Sequence, residues 1–235
     1  MKKLLLLLAI LPFIISCNGQ ENRIATSIAE EPLQLENFDF NTKISTLLPE
    51  KTKSKEYNGY YELKTEMLEV DTISDGEFIG SEKPVRIEYR QRSFSSRDIL
   101  AKFGSNEFNA VNLATTIDGK IMLVNALIGT TDLKQTKDFI ETLDKKYGKS
   151  TKTKGEFSDT NFDIFTWQLK DRIIRFSLVL DKEESTLNIE ANEDKKTIKI
   201  GEKNEHYKGY IFVIPKKYKD QIFGKVSSGD FVFLE

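Results

Sequence analysis

The sequence predicts an α+β fold that is mostly antiparallel β-sheet, with one main amphipathic helix at about 132–147 packed on a face of the sheet. Residues 85–90 (VRIEYR) alternate between apolar and polar side chains, which is typical of a strand with one wet face. Asp118-Gly119 separates two β-prone runs, which is a strong signal of a hairpin. Few long helical patterns and many successive β-prone runs together favour the α+β class.

The other elements are predicted in chain order. Strands are expected at 60–70, 85–89, 111–116, 120–128, 162–169, 173–180, 186–191, 197–200, 207–214 and 231–234. Short helices are expected at 42–48, at 97–103 with Ser96 as its N-terminal cap, and at 216–223. A type I′ turn, which needs two positive φ angles, is predicted at Asp118-Gly119.

The helix at 132–147 has both ends marked in the sequence. Asp132 or Thr131 is expected to cap its N-terminus, and Gln135 can complete a capping box with Asp132. Gly148 supplies a left-handed end. One face of the helix carries Leu133, Thr136, Phe139, Ile140, Leu143 and Tyr147.

Composition excludes several classes of protein. The 235 residues include 35 Lys and Arg against 37 Asp and Glu, and this near balance argues against a basic nucleic-acid-binding protein. The single Cys excludes an intramolecular disulfide, and the single His excludes metal motifs that need two histidines. We therefore predict no metal, no cofactor and no nucleic-acid partner.

The N-terminus has the pattern of a secretory signal peptide. Met1-Lys2-Lys3 precedes an apolar run at 4–15, and Ser16 and Cys17 follow it. As a helix that run would be about 18 Å long at 1.5 Å per residue. The hydrocarbon core of a bilayer is about 30 Å thick, so the run is too short to span it.

Residues Ile14-Ile15-Ser16-Cys17 resemble the lipobox of bacterial lipoproteins. The resemblance implies cleavage before Cys17, a diacylglycerol thioether on its sulfur, and a lipid anchor in a bacterial cell envelope. Asn18 in place of Asp favours the outer membrane within this class. The C-N-G-Q start and the Lys-, Asn- and Ile-rich body are similar to lipoproteins of Bacteroidota. Periplasmic and surface-exposed orientations both remain open.

The domain organisation follows from the anchor. Residues 1–16 are predicted to be the signal peptide, and 17–36 the lipidated Cys and a flexible tether, because apolar residues are scattered there without a period. Residues 37–235 are predicted to be the α+β domain. A division of this domain into two lobes near residue 110 is an open alternative.

Searches for catalytic patterns select no residue. His206 lies beside Glu205, but neighbouring residues on a strand point to opposite faces. Residues 159–163 (DTNFD) begin like a calcium loop, but Ile164 and Lys170 replace its Gly and its bidentate Glu. No glycine-rich phosphate loop occurs.

Tyrosines in polar contexts are candidates for a binding patch, namely Tyr60, Tyr207 and Tyr210. The alternative is that they are half-buried pairing residues of strands. Trp167 is expected in the core.

Taken together, the sequence favours a non-catalytic binding or interaction domain with an unknown protein or glycan partner, held at a membrane through the lipid on Cys17. One alternative is a hydrolase-type envelope enzyme that uses His206 or dispersed acids such as Asp159 and Asp163. The other is a structural component of an envelope complex.

Overall fold

The computed structural model describes residues 26–75, 83–92, 95, 97–192 and 197–235, with backbone alone at 182–192 and 197–204. Its strands are β1 (Leu33–Gln34), β2 (Tyr60–Leu63), β3 (Glu66–Ser74), β4 (Pro84–Gln91), β5 (Ala101–Phe103), β6 (Asn106–Phe108), β7 (Ala110–Thr115), β8 (Ile121–Thr131), β9 (Thr151–Phe157), β10 (Thr160–Gln168), β11 (Arg172–Asn192) and β12 (Thr197–Pro215). Its α-helices are α1 (Ile44–Leu47), α2 (Leu133–Tyr147) and α3 (Lys219–Ile222). The described part of the chain is therefore mostly antiparallel β-sheet with few helices.

Nine strands form one antiparallel sheet in the order β2-β3-β4-β7-β8-β12-β11-β10-β9. A three-stranded sheet has the order β1-β5-β6, with β1 parallel to β5. Strand β7 begins at Ala110 and pairs with β4 on one side and β8 on the other. One sheet therefore runs through the position near residue 110 where a division into lobes was an alternative.

The large sheet separates two apolar clusters, because alternate residues of a strand point to opposite faces. The first cluster includes Phe103, Phe139, Trp167 and Phe176, together with residues of α2 and the small sheet. The second cluster includes Phe162 and Phe212 of the sheet, and the C-terminal segment (216–235) covers it with Tyr218, Ile222, Val226, Phe231 and Leu234.

Helix α2 has Asp132 as its N-terminal cap and ends before Gly148, as predicted, but the Gln135 side chain accepts a hydrogen bond from the Thr131 hydroxyl instead of completing a capping box with Asp132. The Asp132 carboxylate accepts a hydrogen bond from the Gln135 backbone N–H at 2.8 Å, and Gly148 follows the last turn with a φ of 86°. The Phe139 ring packs edge-on against Phe176, with ring centroids 5.1 Å apart. Trp167 is buried as predicted, and its Nε1 donates to Asp144 of α2 at 2.9 Å.

The hairpin predicted at Asp118-Gly119 is confirmed, but its turn type is wrong. Gly119 has a φ of 79°, whereas Asp118 does not have a positive φ. The Gly119 N–H donates to the Thr116 carbonyl at 2.9 Å, and the Thr116 N–H donates to Lys120. This is a type I turn followed by a left-handed glycine, which supplies the twist with one positive φ instead of two.

Residues 26–36 do not belong to the tether predicted over 17–36. Ile28, Leu33 and Leu35 are buried in the first apolar cluster. Glu36 accepts hydrogen bonds from Lys146 and Tyr147 of α2. The scattered apolar residues of this segment fill separate places in the core, which is why they show no period.

Other elements differ from prediction for reasons of pairing. The helix predicted at 97–103 is wrong, because Ala101–Phe103 forms β5 between β1 and β6. The strand predicted at 231–234 is a 3-10 helix, Gly229–Leu234. The single strand predicted at 60–70 is the hairpin of β2 and β3. Strand β9 was not predicted.

Candidate functional site

A row of polar residues crosses the middle of the large sheet on the face covered by the C-terminal segment. Asn112 of β7 and Asn125 of β8 are paired across the strands and buried. Asn112 Nδ2 donates to Asn125 Oδ1 at 2.8 Å, and Asn125 Nδ2 donates to the Ile211 carbonyl at 3.1 Å. These bonds satisfy polar groups that would be costly to bury alone.

Beside this row, β4 contributes a buried carboxylate. Glu88 has no exposed surface, and its Oε1 lies 2.7 Å from Arg86 Nε. The Ser228 hydroxyl of the C-terminal segment donates a hydrogen bond to the other carboxylate oxygen of Glu88. Arg90 lies 2.8 Å from Asp71 of β3. The β3–β4 part of this face is thus a network of alternating charges.

A cleft of about 180 Å³ opens at the border between this polar region and the second apolar cluster. Its lining residues are Gln91, Arg92, Ala110, Leu127, Lys208, Tyr210 and Asp230. Ala110 pairs with Leu127, and Leu127 pairs with Tyr210 in the next strand, so these three form one transverse row. The row makes the floor, and the charged residues stand around it.

Asp230 reaches the cleft from the C-terminal segment and is half-buried. Its Oδ2 accepts a hydrogen bond from Asn112 Nδ2 at 3.1 Å. Burial raises the pKa of the Asp230 carboxyl, while the bond from Asn112 and the charge of Lys208 act in the opposite direction. The site therefore holds a carboxylate in surroundings that disfavour its charge.

The two cations of the cleft each have an acidic partner. Arg92 forms an ion pair with Glu69 of β3, and its side chain is 64% exposed. Lys208 Nζ lies 2.9 Å from Asp181 of β11, which is almost fully buried. The lining of the cleft thus includes two cations, each paired with an acidic side chain of a neighbouring strand.

Of the three tyrosines predicted as binding residues, the structure brings only Tyr210 to the cleft. Tyr210 is 3% exposed, and its ring centroid lies 4.4 Å from that of Phe233. Burial raises its pKa, and the nearby Asp230 and Asp181 act in the same direction. Tyr210 is therefore a floor residue rather than part of an exposed aromatic patch.

Tyr60 and Tyr207 lie elsewhere and are half-buried. Tyr60 is on the edge strand β2, and its hydroxyl donates to Glu69 at 3.2 Å. The Tyr207 hydroxyl donates to Glu205 at 2.6 Å, and burial and this bond raise its pKa to about 12. The lipobox residues Ile14, Ile15, Ser16 and Cys17 lie outside the described residues.

The residues considered for the enzymatic alternative are in separate places. His206 is on β12 opposite Asp181. Asp163 is on β10 and forms ion pairs with Lys152 and Lys154 of the edge strand β9. Asp159 lies in the turn between β9 and β10 with a φ of 62°. Within the described ranges, His, Cys, Asp and Glu form no group of three that could hold a metal ion.

Sequence analysis did not select Asp230, Arg92 or Lys208. A signal was nevertheless present in β7 and β8, where Asn112 and Asn125 interrupt the apolar runs AVNLA and LVNAL. A polar residue within a strand that is buried on both faces needs a buried partner. That pattern could have indicated a polar network on one face of the sheet.

Comparison of the chain with models of protein families, with curated proteins and with solved structures finds no match. In the part of the chain that the structure describes, no helix is both long enough and apolar enough to cross a membrane.

Proposed function

We propose that this protein is a lipoprotein of the bacterial cell envelope, anchored through Cys17, whose domain binds a ligand or partner in the cleft without catalysing a reaction. The observation that carries the binding role is the cleft itself, a concave site with Arg92, Lys208 and Asp230 around an apolar floor. The lipobox-like residues 14–17 support the anchor, and the outer membrane is the favoured location.

The charge pattern of the cleft supports recognition of a partner. Arg92 and Lys208 are each paired with an acidic side chain, Glu69 and Asp181, which restricts where their donors lie. Preorganised charges of both signs give specificity, because a wrong partner leaves a desolvated charge without a counterpart. A protein or glycan surface offers such complementary groups.

The architecture supports the same role. In this proposal the domain is an α+β module whose main helix, α2, packs on the sheet face opposite to the cleft. The C-terminal segment packs on the other face, where Phe231 and Leu234 belong to the second apolar cluster and Asp230 lines the cleft. Both faces are then stabilised by their own apolar cluster, and the cleft is left for a ligand.

Site-specific crosslinking in the native cells tests the binding role. A photo-crosslinking amino acid replaces Arg92 at the mouth of the cleft, and in a matched control it replaces Lys134 on α2, whose side chain is 85% exposed. We expect a discrete adduct from position 92 that is absent at position 134. Equal adducts at both positions, or none at position 92, would contradict the proposed site.

Metabolic labelling tests the anchor. A Cys17→Ala variant should incorporate no labelled palmitate and should leave the membrane fraction or remain unprocessed, because the acylated sulfur is lost. Two acyl chains anchor a protein stably, at about 0.8 kcal/mol per buried methylene. Full labelling of Cys17→Ala would refute lipidation at this residue without affecting the cleft.

A further inference from the structure

The charges around the cleft do not balance. Arg92 is paired with Glu69, and Lys208 with Asp181 at 2.9 Å. Asp230 forms no ion pair with any residue that the structure describes, and the hydrogen bond to its carboxylate comes from the neutral amide of Asn112. The charge of Lys208 acts on Asp230, but Lys208 forms its ion pair with Asp181, so the carboxylate of Asp230 is the charge that a ligand can neutralise.

An anionic ligand would bind weakly in this cleft. It would have to compete with Glu69 for Arg92 or with Asp181 for Lys208, and it would lie beside Asp230. Like charges brought together in a desolvated site repel strongly. The cleft therefore selects for a cationic or hydrogen-bond-donating group.

The apolar residues at the floor of the cleft indicate what kind of chain carries that group. Ala110, Leu127 and Tyr210 form one row across three strands, and Ala110 has only a methyl group to place above the sheet. These three residues are only 2–3% exposed, but they line the cleft, so an alkyl chain bound there lies against them while its charged end reaches Asp230. Lysine side chains characteristically bury their methylenes and leave the ammonium group at a polar site.

We propose that the cleft binds an alkylammonium group, in the form of a lysine side chain of a protein partner, with its ammonium on Asp230 and its methylenes over Ala110 and Leu127. The proposal rests on the proposed function, since it names the chemistry that the same cleft recognises. The volume of about 180 Å³ accommodates one such side chain.

Titration with small probes tests this assignment on the full chain purified in detergent. The probes are n-butylamine and n-butanol, which share an alkyl chain but differ in the charged head group, and chemical shifts of the protein report binding. We expect saturable shifts with butylamine at residues of the cleft. Asp230→Asn should weaken this binding about tenfold or more, while the matched Asp138→Asn on the exposed face of α2 should leave it unchanged.

Two results would overturn the assignment. Equal binding of butylamine and butanol would show that the head group is not recognised, and unchanged affinity in Asp230→Asn would show that the carboxylate is not the partner. Glucosamine serves as a third probe, and binding of glucosamine without butylamine would assign the site to an amino sugar instead of a lysine side chain.

Failure of the alkylammonium assignment can be distinguished from failure of the proposed binding role. If position 92 crosslinks a partner in cells but butylamine does not bind, the cleft is a binding site and the alkylammonium assignment is wrong. If neither crosslinking nor butylamine binding is observed, both are wrong.

Discussion

Asn112 Nδ2 donates a hydrogen bond to Asp230 Oδ2 at 3.1 Å, and this contact joins strand β7 to the C-terminal segment 118 residues later in the chain. The same amide also donates to Asn125 Oδ1 at 2.8 Å. One buried side chain thus connects the polar row of the sheet to the carboxylate of the cleft. Substitutions of Asp230 and of Asn125 therefore measure how this hydrogen-bonded network affects the free energy of unfolding.

Asp230→Asn should stabilise the domain at neutral pH. Burial raises the pKa of Asp230, so its charged form is disfavoured in the folded protein. Asparagine removes the charge, and its carbonyl oxygen can still accept the hydrogen bond from Asn112. We expect a higher urea midpoint for Asp230→Asn, and a loss of stability would contradict the interpretation that the carboxylate is kept for binding at a cost in stability.

The pH dependence of the same pair of proteins follows from the sign of the pKa shift. A carboxyl whose pKa is raised on folding favours the folded state below the ordinary value of 3.8, and this contribution is lost as the pH rises through the folded-state pKa. The difference in unfolding free energy between Asp230→Asn and the wild type should therefore grow from acidic to neutral pH. Urea unfolding at several pH values checks this, and a constant difference would disprove it.

Asn125→Leu should destabilise the domain by about 1–3 kcal/mol, because it deprives Asn112 Nδ2 of an acceptor and the Ile211 carbonyl of a donor. Urea denaturation measures the change. In a background that carries Asn112→Leu, the same substitution should cost less, since the shared hydrogen bond is already lost. Additive effects would mean that the two amides do not act together.

The sequence predicted those parts of the fold that local residues determine. The hairpin at Asp118-Gly119 and helix α2 after Asp132 have their signals within a few residues. Residues 101–103 became a strand instead of a helix because their partners, β1 and β6, supply the hydrogen bonds. The candidate site was not predictable in the same way, because Arg92, which follows β4, and Asp230 line one cleft only when the C-terminal segment packs on the sheet.

Phe139→Ala in helix α2 should cost about 3–5 kcal/mol in unfolding free energy. The ring is buried and packs edge-on against Phe103, Phe108 and Phe176, at centroid distances of 6.0, 6.2 and 5.1 Å. The matched control is Leu133→Ala in the first turn of the same helix, where the side chain is 40% exposed. The control should cost less than about 1 kcal/mol, and a loss for Phe139→Ala no larger than that of the control would contradict the predicted contribution of the ring to stability.

Gly155→Ala should destabilise the edge strand β9 by about 1–3 kcal/mol, because of overpacking. A Cβ at this position would come within 2.4 Å of the Phe162 ring and 3.0 Å of the Glu235 carbonyl oxygen. Phe162 is directly opposite in β10 and 2% exposed, so its ring has little room to move away.

Urea unfolding of four variants measures this steric effect: Gly155→Ala, Thr153→Ala, Phe162→Leu and the double variant Phe162→Leu/Gly155→Ala. Thr153→Ala, at an exposed position of the same strand, is the control for the change in strand propensity and should cost less than about 1 kcal/mol. In a Phe162→Leu background the smaller side chain leaves space beside Gly155, and the cost of Gly155→Ala should fall. An unchanged cost in that background would show that the ring of Phe162 is not what requires glycine at position 155.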